Sequence, residues 1–270
     1  MLPIGMTSKF LATSTPEGWQ EVAEAGFVNF ELAFDCMMAH QQSVEAMNAD
    51  AVLRRSHALS AGMNISSSHL PFAFFFDFSA KDEAARKRAM EIQTDTLRMI
   101  SDWQIPIAVV HASAEPIGSE ERLERIMWAT ENLAILGERA RKLGVTLALE
   151  VLPRTSLGNT SEELLQISQS GTAAKLNLDF NHLMKETHFD FIDRTAEHLI
   201  TTHLSDYDLV NERHWAPGLG DVDWSGCVKR LMEHGYRGQL ILEVRDTAAI
   251  PGKISSAREV MELLQGALNK

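Results

Sequence analysis

The chain of 270 residues is 45% apolar and 23% charged, which is usual for a soluble globular protein. Its formal net charge of -12 argues against a nucleic-acid-binding surface, because such surfaces carry clustered lysine and arginine. Cys36 and Cys227 lie far apart, and no apolar stretch approaches the ~20 residues that cross a bilayer. With no signal-peptide pattern at the N-terminus, we expect neither a disulfide framework nor a membrane protein, and a cytoplasmic location.

The first half of the chain alternates short apolar runs with helical patterns. Strands are predicted at residues 4–9, 27–34, 64–69 and 105–111, and helices at residues 16–25, 44–61, 81–103 and 119–143. Ser119 is the predicted N-cap of the fourth helix. Gly26, Gly62 and Gly144 follow helices at positions where a left-handed cap residue is expected.

The second half continues this alternation to the end of the chain. Strands are predicted at residues 145–151, 174–179, 199–203 and 239–244, and helices at residues 160–168, 189–197, 224–234 and 255–268. Thr160 and Glu163 form a capping-box pattern. Continuous apolar strands indicate a parallel sheet that is buried on both faces. Eight such units in about 250 residues predict an α/β protein, a single (β/α)8 TIM barrel over residues 1–270.

Ionisable side chains lie at the C-terminal ends of nearly all the predicted strands. They are Glu31, His69, His111, Glu150, Asp179, His182, His203, Asp206 and Glu243. In a TIM barrel these strand ends form the active site. The joint pattern therefore predicts a functional site there, although any one of these residues alone is more simply explained as a hydrogen-bonded rim residue.

Glu150 and Glu243 form the sharpest pair, since LALEV and LILEV each place one carboxylate in an apolar strand. A buried carboxylate costs several kcal/mol unless a cation or hydrogen-bond donors offset it. Together with Asp179 and His203, the two glutamates suit one divalent metal ion of intermediate hardness, Mn2+, Zn2+, Mg2+ or Co2+. A structural ion-pair network is the alternative, but few lysines or arginines occur in these strands.

Two loops add further candidates. The long polar loop after the seventh strand carries Glu212, Arg213 and His214 before a PGLG turn, and loops of that length inside a compact domain are usually functional. The aromatic segment at residues 72–78 fits core packing, an apolar wall beside a substrate, or a contact between copies of the chain. The last of these leaves a homo-oligomer open.

These motifs, taken in order, resemble the xylose-isomerase-like TIM barrel superfamily. That superfamily includes sugar-phosphate isomerases and epimerases, ketose 3-epimerases, hydroxypyruvate isomerase, inosose dehydratase and class II AP endonucleases (AP endonuclease family 2). The resemblance covers essentially the whole chain and is carried by HLP from His69, LALE to Glu150, LDFNH from Asp179 to His182, HLSD from His203, PGLGDVDW and LILE to Glu243.

The resemblance implies a set of roles for these positions. Glu150, Asp179, His203 and Glu243 would hold the metal ion, and Glu150 and Glu243 would also be catalytic, flanking the substrate carbon whose proton moves. The implied substrate-binding residues are His69, His111, His182, Arg213 and His214. The implied reaction is isomerisation or epimerisation of a sugar, sugar phosphate or keto acid by proton transfer through a metal-bound enediolate, with no nucleic-acid or membrane partner.

Three alternatives remain open at this stage. A metal-dependent dehydratase of the inosose or 3-dehydroshikimate type would use the same proton abstraction. An endonuclease IV-like multinuclear zinc phosphodiesterase is suggested by Glu212-Arg213-His214, which resembles the Asp-Arg-His motif of the AP endonucleases. In that case His69, His111 and Glu212 would serve a second metal. The third alternative is a barrel without catalytic activity.

Overall fold

Eight parallel strands close into a barrel in chain order, so that each strand pairs with its neighbours in sequence and β8 pairs with β1. The structure, a computed structural model, describes residues 2–8, 16–34 and 43–244, together with Glu262 and Gly266. The strands are β1 Ile4–Thr7, β2 Asn29–Ala33, β3 Asn64–His69, β4 Ile107–Val110, β5 Thr146–Glu150, β6 Lys175–Asp179, β7 Leu199–Leu204 and β8 Gln239–Leu242. The predicted (β/α)8 TIM barrel is confirmed.

Helices connect the strands around the outside of the barrel. They are α1 Pro16–Glu24, α2 Val44–Ser60, α3 Glu83–Asp102, α4 Arg122–Lys142, α5 Ser161–Ile167, α6 His188–Thr195 and α7 Trp224–Glu233. The predicted closing helix at residues 255–268 lies outside the described residues, apart from Glu262 and Gly266. Among the helices described, none combines the length and the apolar character needed to cross a membrane.

Most of the predicted helix ends agree with the structure. Gly26, Gly62 and Gly144 have φ of 103°, 75° and 72°, a left-handed backbone that glycine adopts without strain. The Thr160 side chain accepts a hydrogen bond from Glu163 N at 3.3 Å, as the capping box predicts. The predicted N-cap Ser119 is wrong, because Glu121 N donates to Gly118 O and this turn delays the start of α4 to Arg122.

The core fills the barrel and the layer between strands and helices, and several buried carboxylates and imidazoles lie at the C-terminal ends of the strands. Residues 108–110, 147–149 and 176–178 are buried, and all of them except Asn177 are apolar. Glu150 and Asp179 are the last residues of β5 and β6, and His203 is the last but one of β7. The fold therefore gathers these side chains at the C-terminal mouth of the barrel.

Candidate functional site

Four side chains from β5 to β8 meet around one imidazole at the C-terminal end of the barrel. His203 Nδ1 lies 2.7 Å from Glu243 Oε2, 3.3 Å from Glu150 Oε2 and 3.9 Å from Asp179 Oδ2. Their ligand atoms all lie within 4.8 Å of one another, and all four residues are buried. The structure thus brings together the predicted set of metal ligands.

The environment of these four residues fits a divalent cation. Three carboxylates surround His203 Nδ1, and Asp179 Oδ2 is buried without a hydrogen-bond partner among the described residues. Its other oxygen, Oδ1, accepts a hydrogen bond from Asn181 N at 2.8 Å, which fixes the carboxylate. A buried carboxylate oxygen of this kind is satisfied by a cation. Three oxygen donors and one nitrogen suit the ions predicted from the sequence.

The pKa values of Glu150, Asp179 and His203 in the metal-free protein are all shifted. Burial opposes protonation of His203, but Glu31, Glu243 and Glu150 raise its pKa well above the usual range. Burial, together with the neighbouring Glu243 and Glu150 carboxylates, also raises the pKa of Asp179. Burial opposes ionisation of Glu150 as well, yet the histidines beside it hold its pKa well below the usual range. Protons on this cluster occupy positions that a metal ion would compete for.

His69 and His111 approach the same cluster from β3 and β4. Their Nε2 atoms lie 3.3 Å and 3.5 Å from Glu150 Oε2. His69 Nδ1 lies 2.8 Å from Leu70 O, so that nitrogen carries the proton and Nε2 faces the site. Phe72 packs against both imidazoles, with ring centroids 5.0 Å from His69 and 4.7 Å from His111. One member of the aromatic segment therefore lies at the site.

Of the other phenylalanines of that segment, two lie in the core and two on the surface. Phe76 and Phe78 are buried in the core, whereas Phe74 and Phe75 are 76% and 79% exposed. The segment thus contributes to the core, the site and the surface. Self-association of the chain stays a prediction.

His69, His111 and Glu150 form a second group of side chains that could bind a metal ion, and a third group lies beside the first. His182, Glu212 and His214 bring their ligand atoms within 4.8 Å of one another, and His214 Nε2 lies 2.8 Å from Glu212 Oε1. Burial opposes ionisation of Glu212, but His214, His182 and Arg154 hold its pKa far below the usual range. The three residues predicted for a second metal therefore do not lie in one group. His69 and His111 lie with Glu150, whereas Glu212 lies with His182 and His214.

Burial opposes protonation of His182, but Asp179 and Glu150 raise its pKa to about 9. Its Nδ1 lies 2.9 Å from Val151 O and 3.2 Å from Glu150 Oε1. The ring is therefore held at its Nδ1 edge. Because its pKa lies above neutrality, His182 is a hydrogen-bond donor to any substrate oxygen that reaches it.

A cavity of about 270 Å³ opens onto these groups. The residues around it include Phe72, His111, Glu150, Leu152, Arg154, His182, Glu212 and His214. A volume of this size admits a small polar molecule, and its wall combines one apolar face with several hydrogen-bonding groups.

Arg213, a predicted substrate-binding residue, does not line this cavity. Its guanidinium pairs with Asp208 at 2.8 Å and lies over Trp215, 5.6 Å from the ring centroid. The side chain that lines the cavity instead is Arg154, which pairs with both Glu115 and Glu212. The role of Arg213 in substrate binding stays a prediction.

The loop between β7 and α7 is ordered by one buried carboxylate. Asp206 accepts hydrogen bonds from Gly218 N at 2.7 Å, Trp224 Nε1 at 2.9 Å and Val222 N at 3.2 Å. Gly220 passes so close that a Cβ there would lie 2.4 Å from Tyr207 O. The PGLGDVDW run therefore folds around Asp206.

That packing also holds the residues just before the PGLG turn. Asp206 and Trp215 exchange both backbone hydrogen bonds, at 2.7 Å and 2.9 Å. Asn181 Oδ1 accepts from Arg213 N at 3.0 Å and His214 N at 3.2 Å. These contacts fix the segment that presents Glu212 and His214 to the cavity.

Three residues around the site received no role from the sequence, Arg154, Asn177 and Asn181, and Glu31 was named only as one of the strand-end residues. Glu31 Oε1 lies 2.9 Å from His203 Nε2, and Asn177 Nδ2 lies 3.1 Å from His203 Nδ1. A polar side chain inside an otherwise apolar strand was the available signal for both, as it was for Glu150. Arg154 lies in a loop and Asn181 in the short 3-10 helix Phe180–His182, and for these two the sequence carried no such signal.

The chain is similar to known proteins in both sequence and fold. The profile of the xylose isomerase-like TIM barrel family matches residues 19–266. A protein of Methanocaldococcus jannaschii without an assigned function is 22% identical over 94% of this chain and 87% of its own length. SgbU of Escherichia coli, provisionally named an L-ribulose-5-phosphate 3-epimerase, is 26% identical over 89% of this chain and 88% of its own. The crystal structure of D-psicose 3-epimerase in the presence of D-fructose superposes with a TM-score of 0.81, at 19% identity and full coverage of both chains.

Proposed function

The chain belongs to the xylose isomerase-like TIM barrel family, and from that membership we propose that it is a divalent-metal-dependent isomerase or epimerase of a sugar, sugar phosphate or keto acid. The observation that carries the proposal is the convergence of Glu150, Asp179, His203 and Glu243 within 4.8 Å of one another. SgbU and D-psicose 3-epimerase, whose names describe sugar 3-epimerases, support the substrate class.

The four converging side chains would hold one divalent ion, which supplies electrophilic stabilisation of negative charge that develops beside a substrate carbonyl. Glu150 and Glu243 then act on the carbon next to that carbonyl, one removing its proton and the other returning one. Return to the opposite face gives an epimer, whereas return to the adjacent carbon gives an aldose–ketose isomer. Both carboxylates lie beside the same nitrogen, His203 Nδ1, at the C-terminal mouth of the barrel.

The remaining residues of the cavity would orient the substrate. Protonated His182 donates to a substrate oxygen, and His69 and His111 offer their Nε2 atoms beside Glu150. Phe72 covers one side of these imidazoles and excludes water there. Such fixed hydrogen-bonding groups place the reacting carbon within reach of the glutamates.

The test is exchange of substrate hydrogen in D2O. The chain, loaded with Mn2+, is incubated with a panel of ketoses, sugar phosphates, keto acids and inososes, and deuterium incorporation is followed by mass spectrometry. We expect wash-in at one carbon that is lost in Glu150→Gln and Glu243→Gln but kept in Glu131→Gln, a matched change on the exposed face of α4. Absence of exchange across the panel, or unchanged exchange in both site variants, would contradict the proposal. Appearance of an enone or aromatic absorption would assign a dehydratase instead.

One observation favours a second candidate, a multinuclear zinc phosphodiesterase. Three groups of three or four ligating side chains occur side by side, and Glu150 belongs to two of them. The Arg154 guanidinium already pairs with Glu212 in the third group, which opposes a metal ion there. Metal content after loading with zinc separates the candidates, since one ion per chain supports the isomerase and two or three support the phosphodiesterase.

A further inference from the structure

Glu31 on β2 is a buried carboxylate that belongs to none of the three ligand groups. It is fully buried, and its two oxygens make two different contacts. Oε1 lies 2.9 Å from His203 Nε2, on the side of the imidazole away from Glu243. Oε2 accepts a hydrogen bond from Ser67 Oγ at 2.8 Å. The ring of His203 is therefore held between Glu31 and the three carboxylates.

The hydrogen bonds that reach Glu31 have a fixed direction. Gln239 Nε2 can only donate, and it donates to Ser67 Oγ at 2.8 Å. The Ser67 hydroxyl hydrogen is then directed to Glu31 Oε2, and the other carboxylate oxygen accepts from His203 Nε2. When the imidazole holds a single proton, that proton is therefore on Nε2, and the Nδ1 lone pair faces Glu150, Asp179 and Glu243.

We infer that Glu31 is a positioning residue, which sets the orientation and the tautomer of His203 for metal binding through Nδ1. This inference rests on the proposed function in one respect, the binding of a divalent ion by His203. A carboxylate that accepts from the outer nitrogen of a ligating histidine fixes the ring and makes the inner nitrogen a stronger donor. Ser67 and Gln239 hold Glu31 in turn, so the arrangement joins side chains from β2, β3, β7 and β8.

A structural ion pair is the competing explanation, and it makes a different prediction. If Glu31 only neutralised His203, replacing it would alter the stability of the fold and leave metal affinity almost unchanged. If it positions the ligand, metal affinity falls even where the fold is intact. Metal affinity is therefore the readout, and it needs neither a substrate nor turnover.

The experiment titrates the chelator-treated full chain with Co2+ and follows the visible absorption of the bound ion. For Glu31→Gln we expect a dissociation constant raised by about 10–100-fold and a changed spectrum, because the charged acceptor is lost. For Ser67→Ala we expect a smaller rise, since Glu31 keeps its contact with His203. Ser68→Ala is the matched control, because Ser68 is an equally buried neighbour whose hydroxyl donates to Leu32 O. Its affinity should stay within about twofold of wild type.

Each outcome bears on one claim. A Glu31→Gln protein that melts like wild type and binds Co2+ within twofold of it would overturn the inference and leave the proposed function standing. If Glu31→Gln does not fold, Ser67→Ala decides, and an affinity equal to that of Ser68→Ala overturns the inference. A wild-type chain that binds no Co2+ removes the metal site itself, and with it both the proposed function and the inference.

Discussion

The metal-free protein should lose stability as the pH rises from 6.5 to 9, and His182 should contribute to that loss. Its pKa rises to about 9 in the folded chain from an ordinary value of 6.5, because Asp179 and Glu150 outweigh the effect of burial. The folded state therefore binds more protons than the unfolded state between these two values. The resulting stabilisation is complete below pH 6.5 and is lost as the pH rises through 9.

The size of this effect follows from the same pKa values. One imidazole with this change contributes roughly 3 kcal/mol to the free energy of unfolding at the acidic end of the window. For a chain of this length that corresponds to a melting temperature lower by roughly 6–10 °C at pH 9. His203, whose pKa is also raised, acts in the same direction.

The assay is thermal unfolding of the chelator-treated chain at a series of pH values. His182→Asn should flatten the dependence, whereas Glu131→Gln, a change on the exposed face of α4, should leave it unchanged. Saturating Mn2+ should oppose the loss, since the ion competes with protons for the cluster. A wild-type melting temperature that stays level or rises from pH 6.5 to 9 would refute the reasoning, as would a His182→Asn protein with the wild-type slope.

Three further changes have defined consequences. Glu243→Gln should weaken Mn2+ binding, which calorimetry measures. It should also slow deuterium exchange, measured by mass spectrometry, by more than the ~10²–10⁴-fold typical of a lost acid–base group, because a metal ligand is lost too. Asp206→Ala should lower the free energy of unfolding, measured in urea, by on the order of 3 kcal/mol, because it leaves the buried donors Val222 N and Trp224 Nε1 without an acceptor. A loss under about 1 kcal/mol would contradict this. Arg154→Met should increase the number of zinc ions bound per chain, because Glu212 loses a cationic partner. Elemental analysis measures this, and an unchanged zinc content would contradict the prediction.

The fold and the convergence of Glu150, Asp179, His203 and Glu243 could be predicted because they depend on local patterns. Glu150 and Glu243 each interrupt an apolar strand, and burial makes an isolated carboxylate costly there. In a closed parallel barrel all strand ends meet at one mouth, so identifying the strands also located the site. The strand bounds shifted by a few residues at most without moving these side chains from the mouth.

What the sequence could not show depends on contacts between distant residues and on loop conformation. Glu31 and His203 are 172 positions apart, and their contact depends on the register across several strands. Arg154 reaches the cavity from a loop position with φ of 50°, whereas Arg213 turns toward Asp208. No periodic pattern distinguishes these two arginines, so their roles required coordinates.

The most direct test of the central claim is an anomalous diffraction measurement on crystals soaked with Mn2+. The claim predicts one strong peak, ligated by Glu150 Oε2, Asp179 Oδ2, His203 Nδ1 and Glu243 Oε2. A peak held instead by His69 and His111, several peaks of equal height, or no peak with those four side chains ordered would contradict it.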